Sequence, residues 1–108
     1  YADISQSVLT FTTAALAAKP QTVTKFLAAW EQAVTELNAH PEQYRAILIE
    51  QGRVPQNLQD SYVMPPFPTR GVPTETEVAD VTAWLKEKGL VTRDLTYADM
   101  VDASFLPK

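Results

Sequence analysis

Half of the chain's eight prolines fall in one twelve-residue stretch, Tyr62-Val-Met-Pro-Pro-Phe-Pro-Thr-Arg-Gly-Val-Pro73. Proline fixes φ and removes the backbone N–H, so four of them with Gly71 forbid a helix and deprive a central strand of its donors. The stretch therefore splits an otherwise helix-forming sequence into two parts. Tyr62, Val63, Met64, Phe67 and Val72 make it too apolar for a solvated linker. It is either a strap laid on a protein surface or a segment offered to a partner. Pro65 and Pro68 have the Pro-x-x-Pro spacing of recognition segments, but that spacing recurs in any proline cluster. A place between a helical hairpin and a capped helix favours the strap.

The flanking sequence is helical by periodicity. Val23, Phe26, Leu27, Trp30, Val34 and Leu37 recur at three- and four-residue intervals and predict a helix over residues 20–38 with one apolar stripe. Pro20 suits its first position, where a missing N–H costs nothing. Asn38-Ala-His-Pro41 breaks it, and Pro41 opens a second helix to about Gln51, with Gly52 as a left-handed cap. So short a link makes the two a helical hairpin. A short helix is expected within residues 55–61. Thr74-Glu-Thr-Glu77 is a capping box opening a helix to Lys88, which Gly89 closes with Leu85 and Leu90 as the apolar pair. Thr96-Tyr-Ala-Asp99 repeats the box on a shorter helix through Val101, and Phe105 and Leu106 are placed to dock on something. At the other end, residues 14–18 form a helical turn or two, and residues 4–11 predict a strand ending in Val8, Leu9 and Phe11. Its apolar part is continuous, as in a buried strand, and its hydrogen bonds require partners that the chain scarcely offers.

Composition closes off several functions. The 108 residues, 45% hydrophobic and 20% charged, suffice for one globular unit. The net charge is −4 and the nine basic residues are scattered, which argues against nucleic acid as a partner. With no cysteine there is neither a disulfide scaffold nor thiol chemistry. No apolar run approaches the ~20 residues of a membrane span. The chain starts at Tyr1 without a signal-like segment, so we expect a processed product or a piece of something longer.

The catalytic inventory is thin, and we expect no enzyme, metal or cofactor. The single histidine, His40, stands beside Pro41 and reads as an N-cap or loop residue. Glu75 and Glu77 are explained by capping and the helix dipole, and Asp99 with Asp102 by a solvated face. The isolated glycines form no phosphate cradle. Phe26, Trp30 and Trp84 read as core. Ser5-Gln6-Ser7 is a run of uncharged hydrogen-bonding side chains at a strand entry and the best candidate for touching a small polar ligand.

The order of segments carries a resemblance. Ser7-Val-Leu-Thr-Phe11 leads through Lys19-Pro-Gln-Thr-Val23 to Phe26-Leu-Ala-Ala-Trp30 and Asn38-Ala-His-Pro-Glu-Gln-Tyr44. Pro65-Pro-Phe-Pro68, Val81-Thr-Ala-Trp-Leu-Lys-Glu-Lys-Gly-Leu90 and Tyr97-Ala-Asp-Met-Val-Asp-Ala-Ser-Phe-Leu106 follow. Over nearly its whole length the chain resembles the C-terminal part of ABC-transporter solute-binding proteins of the nitrate/sulfonate/taurine and thiamine-precursor type. Such proteins are roughly three times longer, beyond one typical domain.

The resemblance implies an α/β type II periplasmic-binding fold of two lobes around a ligand cleft. Residues 1–108 would be a single unit, the C-terminal portion of the first lobe, mainly α-helical with one N-terminal strand re-entering that lobe. It implies binding of a small organic or inorganic anion or a thiamine-precursor-like compound by lobe closure, without covalent catalysis. It also implies a permease partner, export to the periplasm or cell exterior, and in many members a lipid anchor. Ser5, Gln6 and Ser7 would sit near the crossover as ligand-binding residues. In an isolated chain Val8, Leu9 and Phe11 would seek a foreign edge, with association, strand exchange in an oligomer or disorder of that segment as the expected outcomes. The alternative is a self-standing helical interaction module that uses residues 62–73.

Overall fold

A computed structural model describes residues 7–108. Its elements are α1 (Thr13–Ala18), α2 (Pro20–Ala39), α3 (Pro41–Gln51), α4 (Gln56–Gln59), α5 (Glu75–Glu87), α6 (Tyr97–Met100) and a 3₁₀ turn (Ala103–Phe105). The chain is mainly helical, as the periodicity requires. No strand occurs among the described residues. Of the strand expected over residues 4–11, the first three lie outside the described residues. Residues 7–11 form no ladder, and Val8 and Leu9 are exposed. A strand exists only when a neighbouring edge takes its N–H and C=O groups, and none is at hand. Phe11 instead sets its ring edge-on to Phe26, with centroids 5.8 Å apart.

α2 is the hub. α1, α3 and the 3₁₀ turn all pack on it, while α5 and α6 pack on each other. The 3₁₀ turn carries Phe105, half-buried like its neighbour Leu106, so the tail docks on α2. His40 is the only residue between α2 and α3. It is the C-cap of one and the N-cap of the other, and Pro41 starts α3. The expected cap role is only positional, because the His40 side chain makes no capping hydrogen bond.

Helix ends follow local chemistry closely. Thr12 caps α1 by accepting from Ala15 N at 3.1 Å. Both capping boxes form: Glu77 N donates to Thr74 Oγ1 while Thr74 N donates to Glu77 Oε2, and Thr96 and Asp99 repeat the exchange. At the end of α5, Gly89 is left-handed (φ 68°), with Leu90 N on Leu85 O and Gly89 N on Lys86 O, both at 2.9 Å. The end of α3 departs from expectation. Gly52 is right-handed (φ −75°) and the left-handed residue is Arg53 (φ 51°). Arg53 N donates to Glu50 O at 3.1 Å and Val54 N to Ile49 O at 3.0 Å, the same closing pattern one residue later. Glycine is needed at 52 for a different reason: a Cβ there would stand 2.7 Å from Leu48 O.

Residues 62–73 have no regular structure and are tied down by side chains from the helices. Asn38, near the end of α2, holds both backbone groups of Phe67: its Nδ2 donates to Phe67 O at 2.8 Å and its Oδ1 accepts from Phe67 N at 2.9 Å. Arg45 on α3 donates to the carbonyls of Tyr62 and Gln59. Glu31 on α2 accepts from Arg70 N at 2.6 Å, and Tyr97 OH donates to Pro73 O at 2.7 Å. Tyr62, Met64 and Phe67 are half-buried, while Val63 is 83% exposed. The stretch lies on α2 and α3 as a strap.

The core is slight for the length. Among the described residues, Val23 and Val34, each 4% exposed, are the buried hydrophobic residues. Phe26 and Trp30 at 46% and Trp84 at 51% are half out in solvent, against the expectation that they form the core. The surface is 8808 Å², where a compact protein of 12.0 kDa exposes about 6,000 Å², an excess of about 2,800 Å². Six residues of fully solvated chain amount to only about 1,000 Å² on the same scaling, so the excess is not an end effect. The radius of gyration, 16.9 Å, likewise exceeds the roughly 13 Å of a compact chain this long.

Two outcomes check these assignments. Asn38→Ala removes both hydrogen bonds to Phe67 and costs about 1–2 kcal/mol, read as a lowered urea midpoint together with faster amide exchange at Phe67. An unchanged midpoint with unchanged exchange would show that the strap is held by other means. Arg53→Gly relieves a left-handed non-glycine residue and stabilises by about 1 kcal/mol, measured in the same unfolding experiment.

Candidate functional site

Of the residues expected to contact ligand, Ser5 and Gln6 lie outside the described residues. Ser7 is exposed in the segment that leads to the Thr12 cap. It does not line an open groove of about 470 Å³ formed by α5 and the segment leading into α6.

One wall of that groove is a face of α5, where Glu75, Val78, Ala79, Thr82, Ala83 and Lys86 follow at helical spacing. The other wall is the segment leading into α6, with Val91, Arg93, Asp94, Leu95 and Tyr97. The Gly89 turn reverses the chain after α5, and the Thr96 capping box starts α6, so local signals build both walls. The Tyr97 hydroxyl, bonded to Pro73 O, ties the groove to the strap.

The groove's polar groups are largely engaged. Lys86 pairs with Asp94 at the rim, and hydrogen bonding to Lys86, then its charge, holds the Asp94 carboxyl below its ordinary range. Thr82 Oγ1 donates to Val78 O at 2.8 Å. The Asp99 carboxyl beyond Tyr97 is also held low, first by the Thr96 backbone N–H, then by the Thr96 hydroxyl, with a smaller contribution from Arg93. Between these groups the floor is Val78, Ala79, Ala83, Val91 and Leu95. Chemically this is a seat for apolar surface with a neutralised rim. A smaller hollow of about 200 Å³ on another face of α5 lies against Val81 and Trp84, beside Glu77 and Asp80.

Among the described residues, a cluster of reactive types lies at the α2–α3 junction. Tyr44 OH donates to Glu36 Oε1 at 3.1 Å, and His40 Nε2 stands 3.9 Å from the same oxygen. The hydrogen bond to Glu36, then desolvation, then the Glu36 charge all push the Tyr44 phenol above its ordinary pKa. A nucleophile or base needs a shift in the opposite direction, so Tyr44 serves as a protonated donor that braces the hairpin. Among the described residues no group of three or more His, Cys, Asp or Glu side chains is placed to hold a metal ion. No helix of the described chain is long and apolar enough to cross a membrane.

Sequence reasoning missed the residues that hold the strap. Asn38 read as part of a helix break and Arg45 and Glu31 were not singled out, because nothing in local spacing reveals a partner 29 or 39 residues away, as Phe67 and Arg70 are. Comparison with protein families, with characterised proteins and with solved structures found no match to this chain.

The depressed Asp99 carboxyl makes α6 acid-sensitive. Its contribution is fully present above the carboxyl's unfolded pKa and is lost as pH falls through the lower folded value. Carbon-detected NMR titration should find Asp99 ionising below an ordinary aspartate, and Thr96→Ala should return it toward that range.

Proposed function

We propose that this chain is the C-terminal portion of the first lobe of a solute-binding protein that serves an ABC importer. The carrying observation is the poor burial: a total surface about 2,800 Å² larger than that of a compact monomer, with Phe26 and Trp30 of α2 and Val81 and Trp84 of α5 half out in solvent. Soluble monomers rarely expose contiguous apolar patches beyond a few hundred Å². Helices that pack around the outside of a lobe have such faces, because the lobe covers them. The order of segments from Ser7 to Leu106 supports the same reading, as does the use of residues 62–73 as a strap.

In this reading the chain contributes framework. Ligand contacts come mainly from other parts of the protein, with Ser5, Gln6 and Ser7 near the lobe crossover. The solute is a small organic or inorganic anion or a thiamine-precursor-like compound, bound by lobe closure. The permease is the protein partner, and the protein works outside the cytoplasmic membrane, in the periplasm or anchored as a lipoprotein. A self-standing module that recognises partners through residues 62–73 would need Tyr62 and Phe67 free. Both are half-buried, and the Phe67 backbone is occupied by Asn38.

Calorimetric titration with nitrate, a small alkylsulfonate and an aminopyrimidine tests the proposal. The gene's full product should be longer than 108 residues and should bind one of them, while the 108-residue chain alone binds none. Binding by the isolated chain, or an intact mass showing that the natural product is this chain alone, overturns it.

A further inference from the structure

We propose that the groove between α5 and the segment leading into α6 docks an extended peptide segment of another protein, apolar in its middle, with an acidic residue toward Arg93 and a basic one toward Glu75. Nothing in this depends on the function proposed above; the groove's own walls select the occupant in three ways. The first is length. Glu75 and Lys86 stand in the first and last turns of α5, about 16 Å apart at 1.5 Å per residue. About five extended residues at roughly 3.3 Å each span the same distance. The Lys86–Asp94 pair lies at one end of this run and the Tyr97–Pro73 hydrogen bond at the other. Between them the floor of Val78, Ala79, Ala83, Val91 and Leu95 carries no charge.

The second is the backbone of the outer wall. Among the described residues, residues 91–95 neither give nor take a backbone hydrogen bond: Leu90 N closes onto Leu85 O, and the next N–H engaged is that of Thr96, on Asp99. Val91, Arg93, Leu95 and Tyr97 line the groove at alternate positions, as an extended segment does. The wall thus offers main-chain donors and acceptors beside an apolar floor, the surface to which an added strand pairs. A bend at Arg93 divides that pairing into two short runs. An alkyl chain in the groove would cover these groups unpaired, a cost that a peptide avoids. The third is charge. Lys86 and Asp94 cancel each other. Glu75 and Arg93 form no ion pair among the described residues, and Arg93 exerts only a minor pull on Asp99. Arg93 adjoins Asp94 at the Lys86 end and Glu75 stands at the other, so the groove keeps one cation and one anion at its two ends, which sets the polarity of the occupant.

The test is a titration of the gene's full product with the capped peptide acetyl-Glu-Val-Leu-Val-Lys-amide, followed by backbone amide NMR. Saturable shifts are expected at residues 91–95 and at Ala79 and Ala83. The same peptide N-methylated at its three apolar residues, or ending in Glu at both ends, should bind several-fold more weakly. Ala79 and Ala83 are exposed on the floor, so Ala83→Glu should abolish binding while the circular dichroism stays unchanged. Arg93→Glu should transfer the preference to acetyl-Lys-Val-Leu-Val-Lys-amide. No shift at these residues with the peptide at millimolar concentration overturns the proposal. So does equal binding of the N-methylated peptide, which would make the groove a seat for any apolar matter, and so does a preference unmoved by Arg93→Glu. Amides of residues 91–95 already protected from exchange before peptide is added would give the groove to the protein's own chain or a second copy, and would overturn it too.

Discussion

The side-chain amide of Asn38 satisfies both backbone groups of Phe67, and the arrangement of the two halves of the chain depends on it. A primary amide has a donor and an acceptor set like those of a peptide group, so it can pair with a backbone as a neighbouring strand would. The strap needs such a partner because four prolines leave it unable to enter a ladder or a helix. Arg45 and Glu31 extend the same solution along the strap, taking carbonyls at one end and an N–H at the other. Helices α2 and α3 thus act as the template on which an otherwise unpairable segment acquires one path. Tyr97, bonded to Pro73, carries that path on to α5 and α6.

The hydrophobic terms are less complete. A chain of this length has enough apolar residues for a core, yet among the described residues the buried hydrophobics are two valines at helical spacing on α2. The aromatic residues that usually dominate core energetics lie half in water. Among the described residues, hydrogen bonding and capping are well satisfied while burial is not. Helix ends and turns close locally. Burial requires a second surface, which the rest of the lobe supplies in the function we propose.

Legibility in the sequence follows the same division. The capping boxes at Thr74 and Thr96, the Gly89 closure and the prolines opening α2 and α3 were readable because each involves residues within a few positions of one another. Gly52 shows where local reading fails. Glycine there suggested a left-handed cap, but a close approach to Leu48 O demands it, and the left-handed turn falls on Arg53. Residues 7–11 show another failure: strand-forming residues do not make a strand without an edge to join. Asn38, Glu31 and Arg45 gave no sign of their partners, since each reads as an ordinary surface residue until folding brings the strap across. Of the candidate ligand contacts, only Ser7 falls among the described residues. The groove between α5 and α6 had no signal beyond its capped ends.

What the sequence determined by itself was the set of helices, their caps and the refusal of residues 62–73 to join any of them. These are consequences of φ restriction, missing donors and short-range side-chain chemistry, which operate wherever the chain is placed. Only the tertiary structure decided that the refused segment is a strap, which side chains hold it, and which apolar faces remain open. Those outcomes depend on groups separated by tens of residues meeting in space, which short-range chemistry does not specify.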